Sequence, residues 1–314
     1  MQKALISVIV PMYNEQEVIA ETYRRLTAVM RGMGDDYELV FINDGSRDKT
    51  MEIMRGIQSG DSHVKIVDFA RNFGHQVAVS AGMDFCRGDC AVIIDADLQD
   101  PPEMIPDMVA KWREGFEVVY GKRVSREGES RFKLFTAWLY YRVLGKLTGD
   151  AIPKDTGDFR LIDRQIIDIM GAMPEKSRFL RGMVAWIGFN QTPLEYRRDE
   201  RWAGETKYPL KKMLKLASDG IMSFSYKPLS WATMAGMIVG AFFSLYLLAA
   251  FIIWCVTQNV PGYHFLIALL GAVQGLTLVM LGLQGAYIGR IFEQSKDRPL
   301  YIVRDTYGMD DAKD

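Results

Sequence analysis

Residues 90–103 read CAVIIDADLQDPPE: an apolar run, then two carboxylates one residue apart, an amide and a pair of prolines. Cys90–Ile94 has the composition of a buried strand, and the acidic stretch stands where that strand must stop. Taken alone, the acidic stretch has two readings. It is a solvated turn, or it is a set of oxygen ligands for a hard cation, with Asp95, Asp97 and Gln99 as donors. Pro101 and Pro102 end the strand and pre-set a helix start near Glu103.

The same strand-then-helix pattern recurs upstream and downstream. LISVIVP (5–11) precedes a helical stretch from Glu15 to about Arg31, and YELVFIND (37–44) precedes one near 48–59. VKIVDFA (64–70) precedes one near 75–87, CAVIID (90–95) one near 103–114, and FEVVYG (116–121) comes next. This alternation implies an α/β fold with a mostly parallel sheet covered on both faces. Ligands of such sheets bind beyond the carboxyl ends of the strands. Three of those ends carry polar chemistry: Pro11–Glu15, Asn43–Ser46 and Asp95–Gln99. Each alone is compatible with a cap or a turn; three at one edge make a site the stronger reading. Neither G-x-G-x-x-G nor a P-loop is present, so a nucleotide here must be held by side-chain acceptors. Asp44 and Glu15 suit base or ribose donors. Asp95, Asp97 and Gln99 suit Mg²⁺ or Mn²⁺, with a diphosphate completing the octahedron.

Charge is balanced, 38 basic against 39 acidic side chains in 314 residues, which gives no pull toward nucleic acid. The 3 cysteines show no metal-ligand spacing, and the soluble part is expected to be cytoplasmic. The opening MQKALISVIVPMYNE lacks the pattern of a signal peptide. Charge is nevertheless unevenly placed: Pro228 to Gly289 contains no Asp, Glu, Lys or Arg. A spanning helix needs about 20 residues. The run is broken once, by TQNVPGYH at 257–264. Two transmembrane helices near 231–256 and 265–290 are expected, in preference to a buried helical hairpin in a soluble core. Lys227 on one side and Arg290, Lys296 and Arg298 on the other place both ends in the cytoplasm. The expected organisation is a catalytic domain at 1–227, a hairpin at 228–291 and a cytoplasmic tail at 292–314. RFKLFTAWLYYRVLGKL (131–147) and KYPLKKMLKLASDGIMSF (207–224) mix aromatic, aliphatic and basic residues as interfacial helices do. Gly236 and Gly240 permit close helix packing and hence a homo-oligomer.

SVIVPMYNE, FINDGSRDKT, RNFGHQVAVSAG and DADLQDPPE stand in the order and spacing of family-2 glycosyltransferases with a GT-A fold. With DTGDFRLIDR (155–164) and the apolar hairpin, the chain most resembles the polyprenyl-phosphate glycosyltransferases, in particular the bactoprenol glucosyltransferase branch. The resemblance covers essentially the whole chain. It implies that Pro11, Tyr13, Glu15, Asp44 and Asp95 hold the nucleotide sugar. Asp97, Gln99 and Asp95 become the metal ligands, with Asp97 the direct contact. Arg123, Arg160 and Lys207 are implied at the lipid phosphate, with Arg131 a weaker candidate. His75 is balanced between nucleotide contact and a capping or packing role. Asp158 is implied as catalytic base, with Asp155 the neighbouring alternative. A phosphate monoester is already mostly dianionic at neutral pH, its second pKa lying near ~6, so Asp158 has the alternative task of orienting Arg160 or the acceptor.

The implied reaction is metal-dependent and inverting: glucose passes from UDP-glucose to undecaprenyl phosphate at a bacterial plasma membrane, for cell-envelope glycan or O-antigen modification. Mannose or N-acetylhexosamine is the alternative sugar. A processive synthase is disfavoured, because RDERW (198–202) has Arg198 where its Q-x-x-R-W segment has Gln. A sugar-nucleotide pyrophosphorylase would want a Gly-rich, basic first loop, which is missing. A catalytically silent membrane adaptor is disfavoured by intact Asp44, Asp95, Asp97 and Arg160.

Overall fold

The computed structural model describes residues 3–123, 156–196 and 262–309, with isolated positions between 234 and 256. The chain divides into two compact units, Met1–Ala217 with Arg298–Asp314, and Ser218–Asp297.

In the first unit the strands are β1 (Leu5–Met12), β2 (Asp36–Asn43), β3 (Val64–Phe69), β4 (Cys90–Ile93), β5 (Val118–Arg123), β6 (Thr156–Asp163), β7 (Gln191–Tyr196) and β8 (Val303–Tyr307). They form one sheet in the order β7-β5-β6-β4-β1-β2-β3-β8. The β4-β1-β2-β3 pairings are parallel, as expected. β6 runs antiparallel between β4 and β5, and β8 antiparallel beside β3. The helices are α1 (Ile19–Met33), α2 (Thr50–Gly60), α3 (His75–Phe85), α4 (Ile105–Arg113), α5 (Arg164–Ala172) and α6 (Leu180–Ile187).

β1 is buried from Ile6 to Met12, on both faces, which is why its sequence shows no alternation. One face carries Ile6, Val8 and Val10 into a cluster with Leu26 and Met30 of α1 and with Phe41 and Val92. On the other face α3 lies so close that a Cβ on Gly82 would meet Ile9 Cγ2 at 2.2 Å. Each fully buried aliphatic side chain contributes about 1.5–3 kcal/mol. Pro11 pairs with Ile42 beyond the last β1–β4 pair, Ile9 with Ile93, so its missing N–H is not needed on the β4 side.

Two boundaries differ from the sequence reading. α1 begins at Ile19 rather than Glu15, because the Glu15 carbonyl accepts from the Val18 and Ile19 N–H groups in a turn that precedes the helix. After the prolines a 3₁₀ turn, Pro102–Met104, comes before α4.

The C-terminal stretch is part of the sheet. β8 lies along β3, and Tyr301 stacks on Phe69 with ring centroids 5.1 Å apart and donates to Asp84 Oδ2 at 2.8 Å.

In the second unit α7 (Gly262–Ser295) is one continuous helix of 34 residues over the second expected span. Many of its N-terminal side chains fall outside the described residues. Among the described residues no helix is long and apolar enough to cross a membrane. The first expected span, apart from isolated positions, and both interfacial stretches lie outside the described residues.

Candidate active site

The acidic loop keeps a strand-like alternation after β4 has ended. Ala96, Leu98 and Asp100 are buried, while Asp95, Asp97 and Gln99 are partly exposed. The buried set explains how the loop is held. Thr22 of α1 donates to the Ala96 carbonyl at 2.7 Å. Leu98 is 2% exposed and adopts φ 58°, a left-handed conformation that costs a bulky side chain energy. Asp100, 1% exposed, accepts from the Tyr196 hydroxyl at the end of β7. Glu103 completes the set of tethers with a two-pronged pair to Arg25, at 3.0 and 2.6 Å. Asp97 Oδ1 accepts from the Gln99 N–H at 3.1 Å, which closes the turn between the two outward residues.

β6 brings distant residues to this loop. Because β6 is antiparallel, its beginning lies where β4 ends. The register pairs Arg160 with Ile93, the last residue of β4, so the β6 residues before Arg160 stand beyond the paired segment, toward the acidic loop. Asp158 stands two residues before Arg160 and favours its charged form. The Asp158 carboxylate accepts from Arg181 Nε at 2.7 Å and from Gln76 Nε2 at 3.1 Å. His75 Nε2 lies 3.2 Å from Asp158 and 3.8 Å from Asp95, bridging the two carboxylates. Gln76 in turn accepts from the Leu180 N–H at 3.1 Å, fixing the start of α6 and therefore Arg181.

The electrostatics follow from that packing. Burial pushes the Asp95 carboxyl up, His75 opposes this, and Asp100, Asp97 and Asp158 add to it, leaving it at about 6. Burial alone would lower His75, but Asp95 and Asp158 raise it to about 9, an imidazolium at neutral pH. Asp158 is buried, which raises a carboxyl, yet Arg181 and His75 hold it well below the ordinary carboxylate range. Such a carboxylate is a weak base. Arg160, 5% exposed, is lowered by burial to about 10; it donates to the Gly157 carbonyl at 3.0 Å. The arginine that Asp158 grips is therefore Arg181, not Arg160.

The first two loops are stapled together. The Asn14 N–H donates to Ser46 Oγ at 3.0 Å, the Arg47 N–H to Asn14 Oδ1 at 2.8 Å, and the Glu15 N–H to Thr50 Oγ1 at 2.8 Å. Tyr13 and Glu15 stand half-buried at this edge, and Pro11 is buried beneath them. Asp44 has a different occupation from the one its sequence suggests. Its carboxylate accepts from Asn72 Nδ2 at 2.8 Å, from the Phe73 N–H at 2.6 Å and from the Gly74 N–H at 3.0 Å. These bonds shape the loop that delivers His75.

The donor set of the acidic loop fits a divalent cation. Asp95, Asp97 and Gln99 are hard oxygen ligands presented on one side, and a cation would relieve the crowding of carboxylates around Asp95. Among the described residues no three His, Cys, Asp or Glu side chains form a metal site by themselves. A cation held here would draw its remaining ligands from elsewhere, as from a diphosphate.

The structure thus brings Asp95, Asp97, Gln99, Asp158 and Arg160 to the edge at which Tyr13, Glu15 and Asp44 also end. Arg123 closes β5 at that edge, its side chain outside the described residues, as are Asp155, Arg131 and Lys207. Sequence reasoning did not single out Arg181, Gln76, Asp100, Thr22 or Tyr196. The one available signal was Arg181 itself, a lone charge in the apolar run FLRGMVAWIGF.

Comparison with known proteins agrees with this geometry. Residues 7–170 match the family model "Glycosyl transferase family 2". An uncharacterised glycosyltransferase of Bacillus subtilis is 52% identical over 98% of this chain and 95% of its own. A bactoprenol glucosyl transferase of Shigella phage SfV is 38% identical over 95% of this chain and 98% of its own. Among solved structures, a mycobacterial protein at 21% identity has a similar fold, with a TM-score of 0.50 over 70% of this chain and 73% of that one.

Proposed function

Starting from a chain that belongs to glycosyl transferase family 2, we propose that it transfers glucose from UDP-glucose to a polyprenyl phosphate, undecaprenyl phosphate in a bacterial plasma membrane. The observation that carries the reading is the meeting of two kinds of residue at one sheet edge. Asp95, Asp97 and Gln99 of the acidic loop suit a nucleotide diphosphate with its cation, and Arg160 on the neighbouring strand suits a phosphate acceptor. The full-length similarity to proteins named bactoprenol glucosyl transferase supports glucose and a lipid acceptor.

Mg²⁺ or Mn²⁺ bound by Asp97, Asp95 and Gln99 would neutralise charge developing on the leaving diphosphate. Tyr13, Glu15 and Pro11 line the nucleoside side. Asp44 acts there by holding the Asn72–Gly74 loop in shape. The acceptor phosphate attacks the anomeric carbon in a single displacement, so an α-linked donor gives a β-linked product. The acceptor is already dianionic at neutral pH, and Asp158 is held well below the usual carboxylate range, so Asp158 serves to position cations rather than to take a proton. Positioned charge supplies most of the rate enhancement.

The membrane reading is compatible with the chain topology. Residues before Ala217 and after Arg298 belong to one folded unit, so the segment between them crosses any membrane an even number of times. Two crossings, near 231–256 and 265–290, satisfy that condition and leave the catalytic unit whole on the cytoplasmic side.

The test is a donor screen: purified full-length protein, undecaprenyl phosphate, a divalent cation and each of several labelled nucleotide sugars, with the extracted lipid analysed by NMR. A β-glucosyl phospholipid formed from UDP-glucose is expected. Preference for another sugar would overturn the glucose assignment, and an α-linked product the single displacement.

A further inference from the structure

We propose that Arg181 and Arg160 form the seat of the acceptor phosphate, and that the Asp158 carboxylate fills this seat until a phosphate displaces it. The proposal rests on the reading that the acceptor is a lipid phosphate. It adds the residues that receive the head group and a role for Asp158 as the anion exchanged for it.

Asp158 is surrounded as a bound anion would be. An arginine at 2.7 Å, a side-chain amide at 3.1 Å and an imidazole at 3.2 Å converge on its two oxygens. Two of these groups, His75 and Gln76, come from the first turn of α3, whose backbone N–H groups also favour an anion. Arg181 comes from α6, and its position is fixed through Gln76 and the Leu180 N–H. The cluster is thus built from three separate elements.

Arg160 supplies the second, independent observation. Its guanidinium is 5% exposed and donates to the Gly157 carbonyl, and among the described residues no carboxylate lies within ion-pair distance of it. A buried cation without a paired anion is costly, and an incoming anion removes that cost. Asp158 lies two residues before Arg160 on β6 and near enough to favour its charged form, so an anion that takes Arg181 from Asp158 also comes within reach of the Arg160 charge. A phosphate dianion has the advantage in this exchange. It carries more charge than a carboxylate, and its three free oxygens can engage two arginine forks at once. Asp158, released from Arg181, keeps His75, which continues to join it to Asp95 beside the donor. No covalent bond changes in the exchange.

The test is equilibrium binding of farnesyl phosphate to the full-length protein, with farnesol as the control for the lipid tail and UDP binding measured in parallel. Arg181→Ala is expected to weaken farnesyl phosphate on the order of tenfold to a hundredfold, the range of a charge-assisted contact. Arg181→Lys, which keeps the charge but not the fork, should weaken it less and serves if the alanine variant does not fold. Asp158→Asn should bind farnesyl phosphate several-fold more tightly, because the competing carboxylate has gone. UDP affinity should not move in the Arg181 variants, whereas mere loosening of the domain would lower both. Unchanged farnesyl phosphate affinity in the Arg181 variants, or no tightening in Asp158→Asn, overturns the proposal. A parent protein that does not distinguish farnesyl phosphate from farnesol overturns the lipid-phosphate reading itself, and that result is separate from either variant outcome.

Discussion

Leu98 allows the strain in the acidic loop to be measured by comparing glycine with alanine. Its side chain is 2% exposed and its φ is 58°. Leu98→Ala removes buried carbons, with an expected loss of about 2–5 kcal/mol, and leaves the left-handed backbone strained. Leu98→Gly removes one carbon more but relieves strain worth about 1–2 kcal/mol. Against that stands the greater freedom of glycine in the unfolded chain, about 0.5–1 kcal/mol. With about 0.8 kcal/mol for the extra buried carbon, the glycine variant should therefore lie within about 1 kcal/mol of the alanine variant, on either side. Leu26 in α1 provides the control: it is equally buried, but in a helix, where glycine should fall below alanine by about 1 kcal/mol. Urea denaturation of the full-length variants, followed by tryptophan fluorescence, measures both pairs. If alanine is the more stable residue at position 98 by the same margin as at 26, the loop is not strained, and the account of how Asp97 and Gln99 are turned outward fails.

Three further outcomes follow from the same contacts. Thr22→Val leaves the buried Ala96 carbonyl without its donor at 2.7 Å and should cost about 1–3 kcal/mol in the same denaturation assay, with donor KM raised because the loop loses a tether. Gly45→Ala places a Cβ 2.4 Å from the Arg71 backbone at φ +65°, where no side-chain movement can relieve it; a sharp drop in melting temperature is expected, and parent-like melting would refute the close approach. Asp61 is buried, which raises a carboxyl, but bonds from the His63 N–H and ring and from the Tyr23 hydroxyl bring it below 3.8. Its folded pKa is thus depressed, so its contribution is present above about pH 4 and lost as pH falls through the folded value. Asp61→Asn should flatten the acid limb of a stability–pH curve, and an unaltered limb would refute the linkage.

The first four strands were legible because each is an apolar run with a helix behind it, as in a parallel sheet buried on both faces, and the fifth as an apolar run that continues the series. The acidic loop was legible as a site, since oxygen donors at a strand end have a specific chemistry. Which of its residues face outward was not fully legible: Asp100 is as acidic as Asp97 but lies buried against Tyr196, a partner 96 residues away. β6 was visible only as the motif DTGDFRLIDR, because its insertion between β4 and β5 depends on pairing that no local pattern records. His75 was left between capping and nucleotide contact, since its partners Asp95 and Asp158 are brought to it by two other strands. Asp44 showed the opposite difficulty. Its residue type suits a nucleoside, but the Asn72 side chain and the Phe73 and Gly74 N–H groups, some 28 to 30 residues on, take up its oxygens. β8 had a usable signal in the β-branched and aromatic YIVRDTY, hidden by its place after a long uncharged segment.

The central claim is that the outward face of the acidic loop activates a nucleotide sugar for transfer to a lipid phosphate. Its most direct test is the rate of labelled glucose transfer from UDP-glucose to undecaprenyl phosphate, in the parent with and without EDTA and in Asp97→Asn. The account predicts a lipid-extractable product from the parent, abolished by EDTA, restored by excess Mg²⁺ or Mn²⁺, and reduced at least a hundredfold, about 3 kcal/mol in the barrier, in a folded Asp97→Asn variant. Transfer that is indifferent to EDTA and to Asp97 would contradict it.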